Sequence, residues 1–85
     1  MTPFVPHCIR INRQPFYFPA KLQDEVVTCV AVDRDGTVHA YTSEPRPNIT
    51  NYAWQTETGE RRRLGQFNTA HRPKAWQFAC WHVTV

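Results

Sequence analysis

Seven prolines (Pro3, Pro6, Pro15, Pro19, Pro45, Pro47 and Pro73) constrain this 85-residue chain more than any other feature. A proline lacks a backbone donor and clashes with the preceding helical turn, so it fits poorly inside a helix or a central strand. The prolines cut the sequence into short segments, and none carries an apolar stripe at helical spacing across ten or more residues. The expected fold class is therefore mainly β: a small antiparallel sheet or open barrel built from hairpins, with at most one short helical turn. With no repeat, low-complexity tract or Gly/Ser linker, residues 1–85 read as a single domain.

The clearest strand is Glu25–Val32, rich in β-branched residues, followed by Asp33-Arg34-Asp35-Gly36 and a second strand from Thr37. The Asp35-Gly36 pair supplies positive backbone angles for a tight turn, which predicts strands over 25–33 and 37–43. Alternation puts Val38 and Ala40 on one side and His39 and Tyr41 on the other, with Val30, Val32 and Val38 in the core. A second hairpin is expected between Tyr52–Thr56 and Arg61–Phe67, turning at Gly59, with Leu64 or Phe67 inward. A third joins Cys8–Ile11 to Phe16–Phe18 through Asn12-Arg13-Gln14-Pro15. Residues 75–85 alternate well enough for a closing strand, although Lys74–Ala79 equally suits one helical turn.

A chain this short has a marginal core. Three cysteines (Cys8, Cys29 and Cys80) cannot all pair internally, so free thiols in a reducing compartment are the simpler reading. Stabilisation falls instead to the aromatic residues, which make up 13% of the chain and bury large areas. No apolar run approaches the length needed to span a bilayer, and the start of the chain lacks the basic and apolar stretches of a secretory signal. A cytoplasmic protein is expected.

Little points to catalysis or to a cofactor. His7-Cys8 and Cys80-Trp81-His82 offer a Cys₂His₂ inventory for zinc, and Cys80 and His82 would share a strand face. Adjacent His7 and Cys8 would point oppositely, however, and no Cys-x₂-Cys or His-x₃-His spacing supports the site. The expectation is no metal and no cofactor, with buried thiols and surface imidazoles in its place. A Cys–His pair drawn from the cysteines and His7, His39, His71 and His82 is available on paper, but Cys29 lies in the most apolar strand, where burial makes a thiol inert. Asp33 and Asp35 lack the spacing of a calcium loop and are better explained as turn residues. Asn48-Ile49-Thr50 matches a glycosylation sequon, which without a signal sequence reads as coincidence. The expectation is a protein that is not an enzyme.

Charge supplies the strongest functional cue. Net charge is +3, and all of the excess lies in residues 44–85. The run Arg61-Arg62-Arg63 puts Arg61 and Arg63 on one strand face and Arg62 on the other. It serves either as a solvated edge or, with Arg46, Arg72 and Lys74, as an anion-binding patch. Trp54, Tyr52, Trp76 and Trp81 among basic residues offer stacking surfaces for nucleic acid, although a small β protein spends most aromatics on its core.

The stretch Val30-Ala31-Val32-Asp33-Arg34-Asp35-Gly36-Thr37-Val38-His39-Ala40-Tyr41, then Ser43-Glu44-Pro45, Trp54, Leu64-Gly65 and Trp76, resembles small uncharacterised phage-encoded β proteins with a valine-rich VDxDG hairpin. The likeness covers residues 26–80 and implies no catalytic residues. What it implies is a small accessory gene product of a phage or mobile element, a setting in which host-takeover and anti-defence proteins are common. The expected function is a non-enzymatic protein that binds and inhibits a host protein with an acidic surface, an anti-CRISPR-like role among the possibilities. Arg61, Arg63, Arg72 and an exposed Trp54 would be its contacts, because Arg and Trp dominate binding hot spots. The alternatives are a small nucleic-acid-binding β module using the same arginines on phosphates, and a structural or assembly protein acting as a homo-oligomer through a strand edge.

Overall fold

The computed structural model describes residues 7–67 and 75–83. It is mainly β, with ten short strands and one 3-10 turn among the described residues. The first hairpin pairs β1 (His7–Ile11) with β2 (Gln14–Phe18) around Asn12–Arg13, both at positive φ. The next pairs β3 (Lys21–Leu22) with β4 (Glu25–Val26) around Gln23–Asp24, again both positive. Two consecutive positive φ values define the mirror-image turn whose twist matches antiparallel strands. The hairpin expected between Cys8–Ile11 and Phe16–Phe18 is therefore present, with its turn confined to Asn12–Arg13.

The centre of the protein is a four-stranded antiparallel sheet in the order β10 (Cys80–His82), β5 (Cys29–Val32), β6 (Thr37–Tyr41), β9 (Arg61–Gln66). It does not close into a barrel, so β10 and β9 are its outer strands. The β5–β6 turn follows the Asp-Gly signal: the Gly36 N–H donates to the Asp33 carbonyl at 2.9 Å, Gly36 has φ +93°, and Asp35 Oδ1 accepts the Thr37 N–H at 2.9 Å. A β-branched side chain resists that φ. Gly36→Val is expected to cost about 1–2 kcal/mol, readable as a lower urea midpoint with unchanged slope. An unchanged midpoint would mean the turn tolerates the substitution.

Both faces of this sheet are covered, which explains why Cys29–Val32 is buried without alternation. Val30, Val32, Val38 and Ala40 pack on one face against Ile11, Phe16, Phe18, Leu22, Val27, Phe67 and Ala79. Cys29, Ala31 and Tyr41 pack on the other against Trp54 and Trp76.

Three expectations are corrected. The strand expected over 25–33 is broken: Glu25–Val26 belongs to the β3–β4 hairpin, and the Val27 N–H turns aside to the Ala20 carbonyl at 2.9 Å. Buried Val27 thereby reaches the first core while Val26 stays exposed. The second strand ends at Tyr41 rather than at residue 43. The hairpin expected between 52–56 and 61–67 does not form. Instead β8 (Ala53–Gln55) turns back on β7 (Arg46–Asn48), and β9 pairs with β6. The deciding turn lies earlier, where Asn48 Oδ1 accepts the Thr50 and Asn51 N–H groups at 3.0 and 3.1 Å, the side-chain-to-backbone closure typical of Asn turns.

At the C-terminal end, the 3-10 turn Trp76–Phe78 precedes β10, so the helical-turn reading of 74–79 holds for 76–78 and the strand is confined to 80–82. The last residues of the expected strand, Thr84 and Val85, lie outside the described residues.

Candidate functional site

Strand β9 carries the arginine run, and its register against β6 decides where each side chain goes. Arg61 lies opposite Tyr41, Arg62 opposite Ala40 and Arg63 opposite His39. Arg61 and Arg63 thus project on the Trp54 side and Arg62 on the other, as alternation requires. The register then shifts: Val38 pairs with Gly65, leaving Leu64 as the extra residue of a β-bulge. The bulge has a reason in the sequence. Leu64 and Phe67 are three apart and would point oppositely on a regular strand, whereas the inserted residue lets both pack in the first core. Phe16 also packs over Gly65, where an added Cβ would sit 3.3 Å from its ring.

Arg61, Arg62 and Arg63 are all exposed. None of the three makes an ion pair with a carboxylate among the described residues. The Arg63 guanidinium donates to Gln66 Oε1 at 3.3 Å, and Gln66 Nε2 in turn donates to the Asp35 carbonyl at 3.4 Å. Arg61 lies across the strand pair from Tyr41, whose hydroxyl donates to the Trp54 carbonyl. The Gln66 contact orients the Arg63 guanidinium without neutralising it. Arg46 is exposed on β7 and lines a separate cleft with Glu44 and Glu57, next to the cleft flanked by Arg61. Arg72 and Lys74, expected in the same patch, lie outside the described residues, as does His71.

Trp54 is a correction. It was expected as an exposed contact, but it is only 5% exposed and anchors the second core. Its N–H donates to Asp33 Oδ1 at 2.7 Å, its indole Nε1 donates to the Trp76 carbonyl at 3.0 Å, and its own carbonyl accepts the Tyr41 hydroxyl at 3.3 Å. These bonds tie β8 to the central sheet and to the 3-10 turn. Trp76 is buried beside it. Two of the four aromatics considered as stacking platforms are therefore core residues. Tyr52 remains exposed on the β7–β8 turn, its ring beneath the Arg34 guanidinium at 4.3 Å, and Trp81 is exposed on β10.

Beneath the arginines lies a polar group that the sequence reading treated only as a turn and a face. Asp33 is buried, and its Oδ2 stands 3.7 Å from His39 Nδ1, a nitrogen that is buried without a hydrogen-bond partner among the described residues. Burial holds the imidazole below its ordinary pKa, outweighing the pull of Asp33, and the charges of Arg61 and Arg63 push the same way. Burial also pushes the Asp33 carboxyl up, against the Trp54 N–H and His39. By contrast the Thr37 N–H holds Asp35 low.

A lowered His39 pKa means the unfolded chain takes up the proton more readily. Its share of stability is full above the unfolded value of 6.5 and is lost as pH falls through the folded value. The raised Asp33 carboxyl has the opposite slope: its share is present below 3.8 and is lost as pH rises through its folded value. Replacing His39 with Gln removes the first contribution. The difference in melting temperature between wild type and His39→Gln is expected to narrow between about pH 8 and about pH 5. A difference that widens on acidification would show a stabilising His39–Asp33 ion pair instead.

The remaining candidate chemistry is dispersed. Cys29 is buried, and burial followed by the neighbouring Cys29 thiol pushes Cys80 up to about 12. Cys8 is exposed on β1. Cys80 and His82 do share a face, opposite Ala31 and Cys29, but His82 Nε2 stands 3.8 Å from Glu44. Among the described residues, no three His, Cys, Asp or Glu side chains converge as a metal site. No helix among them is long and apolar enough to cross a membrane. Comparison with known proteins returns no matching family model, no matching curated protein and no matching solved structure.

Proposed function

We propose that this protein is a non-enzymatic binding module that inhibits a partner protein by covering an acidic surface with the Arg61–Arg63 strand. One observation carries this reading: three consecutive arginines stand exposed on an outer strand with no carboxylate partner among the described residues. Like charges two residues apart on one face repel, and an acidic surface relieves that repulsion while discriminating among partners. Arg63 is oriented by Gln66, which lowers the ordering cost of binding. In keeping with the resemblance of residues 26–80 to phage-encoded β proteins, the partner would be a host protein, and an anti-defence inhibitor is a role that suits such a surface.

A protein partner is favoured over nucleic acid because Tyr41, opposite Arg61, and Trp54 on the same side of the sheet are both buried and offer no stacking face. The test is a fluorescence titration with an oligoglutamate peptide of about twenty residues and a single-stranded DNA of equal charge, at about 50 and 200 mM salt. Tighter binding of the peptide at both salt concentrations supports the proposal. Preference for DNA, with affinity collapsing at the higher salt, would overturn it in favour of the phosphate-binding alternative.

A further inference from the structure

The backbone of β9 carries information that its side chains do not. In an antiparallel ladder, alternate residues turn both their N–H and C=O toward one neighbouring strand and the intervening residues turn theirs away. The Thr42 N–H donates to the Glu60 carbonyl at 3.1 Å, which makes that pair face inward. Counting along the register, Arg62 also faces inward, to Ala40, whereas Arg61 and Arg63 face away from β6. The far end of the strand agrees, since the Phe67 N–H donates to the Gly36 carbonyl at 2.9 Å beyond the one-residue bulge. Among the described residues no strand pairs with the outer edge of β9. The two residues whose side chains share a face are therefore the same two whose backbone groups point outward.

We propose that this edge accepts an extended acidic peptide as a fifth, antiparallel strand, with acidic residues at alternate positions opposite Arg61 and Arg63. This deepens, and rests on, the acidic-partner reading above. Strand addition draws affinity from main-chain hydrogen bonds and specificity from alternate side chains. Directly opposed side chains on one face of an antiparallel pair lie close enough to form cross-strand ion pairs. An acid-x-acid segment thus satisfies the outward N–H and C=O groups and gives carboxylates to guanidinium groups that have none among the described residues, while its middle residue faces the Arg62 side. A second copy of this chain is a poorer occupant, because pairing β9 with β9 would set arginine rows against each other.

The experiment uses the intact protein and three labelled heptapeptides of equal net charge. The first is Thr-Thr-Glu-Val-Glu-Thr-Thr. The second has its acids adjacent, Thr-Thr-Glu-Glu-Val-Thr-Thr. The third is the first with both glutamate amides N-methylated, which removes the donors that would meet Arg61 and Arg63. The proposal expects the alternating peptide to bind at least tenfold tighter than either of the others, and to slow amide hydrogen exchange at Arg61 and Arg63 but not at Arg62, already bonded to β6. Equal binding of all three would overturn strand addition while leaving the acidic-partner reading in place. Binding of none, with oligoglutamate also failing, would overturn both. A dimer of the free protein in sedimentation, with the Arg61 and Arg63 amides already protected, would also overturn the proposal by showing the edge to be occupied by a second copy.

Discussion

Trp54→Ala is expected to destabilise the protein by about 3–5 kcal/mol, the range for truncating a large buried aromatic. At roughly 0.05–0.15 kcal/mol per residue, a domain of this size has about 4–13 kcal/mol in total, so the variant forfeits between about a quarter and the whole of its stability. The effect goes beyond lost volume. The indole fills the second core against Tyr41 and Trp76, and its Nε1 is the donor to the Trp76 carbonyl. Trp54→Phe keeps most of the apolar bulk and loses that hydrogen bond, for an expected cost of about 1–3 kcal/mol. At about 4–8 °C per kcal/mol, the two variants should separate clearly in a melting experiment. An alanine variant that melts with the wild type would mean that Trp54 is a surface residue, as the sequence first suggested.

The charge-reversal pair Arg61→Glu with Arg63→Glu is expected to do the opposite, sparing the fold and abolishing binding. Both side chains are exposed, and exposed substitutions usually change stability by about 0.5 kcal/mol or less. Reversing charge at a contact that binding desolvates costs about 2–5 kcal/mol of affinity, or roughly thirtyfold to several thousandfold. Arg62→Glu is the positional control. It reverses one charge rather than two on the same strand, and its side chain lies on the far face, opposite Ala40.

Much of this architecture is legible in local chemistry. The Asp35-Gly36 turn, the β-branched strand before it and the tight turn at Asn12–Arg13 are each set by residues within a few positions of one another. What the sequence reading missed depends on distant partners. Residues 52–56 and 61–67 look like a hairpin because Gly59 lies between them, and Gly59 does adopt φ +80°. That angle serves a longer connection, one in which a Cβ at Gly59 would sit 2.5 Å from the Ser43 hydroxyl oxygen. The Asn48 turn competes for β8 and wins. That turn is local chemistry, whereas the pairing of β9 with β6 spans at least twenty residues of chain and leaves no local signature.

The candidate site divides the same way. Alternation alone puts Arg61 and Arg63 on a common face, and the structure agrees. It also groups His39 with Tyr41, but it cannot say that this face is covered. Trp54, folding over from later in the chain, donates its N–H to Asp33 and helps make this turn residue a buried group beside half-buried His39. The exposure of a tryptophan is likewise a tertiary property, and composition favoured the core for most aromatics without naming which.

The most direct measurement of the central claim is a fluorescence titration of the oligoglutamate peptide against wild type, Arg62→Glu and the Arg61→Glu, Arg63→Glu pair, with melting curves recorded on the same samples. The arginine face acts as the binding surface if the double variant loses at least about thirtyfold in affinity, the Arg62 variant stays close to wild type, and all three melt together. Equal binding by all three proteins, with coincident melting curves, would contradict it and leave the arginines as a solubilising face.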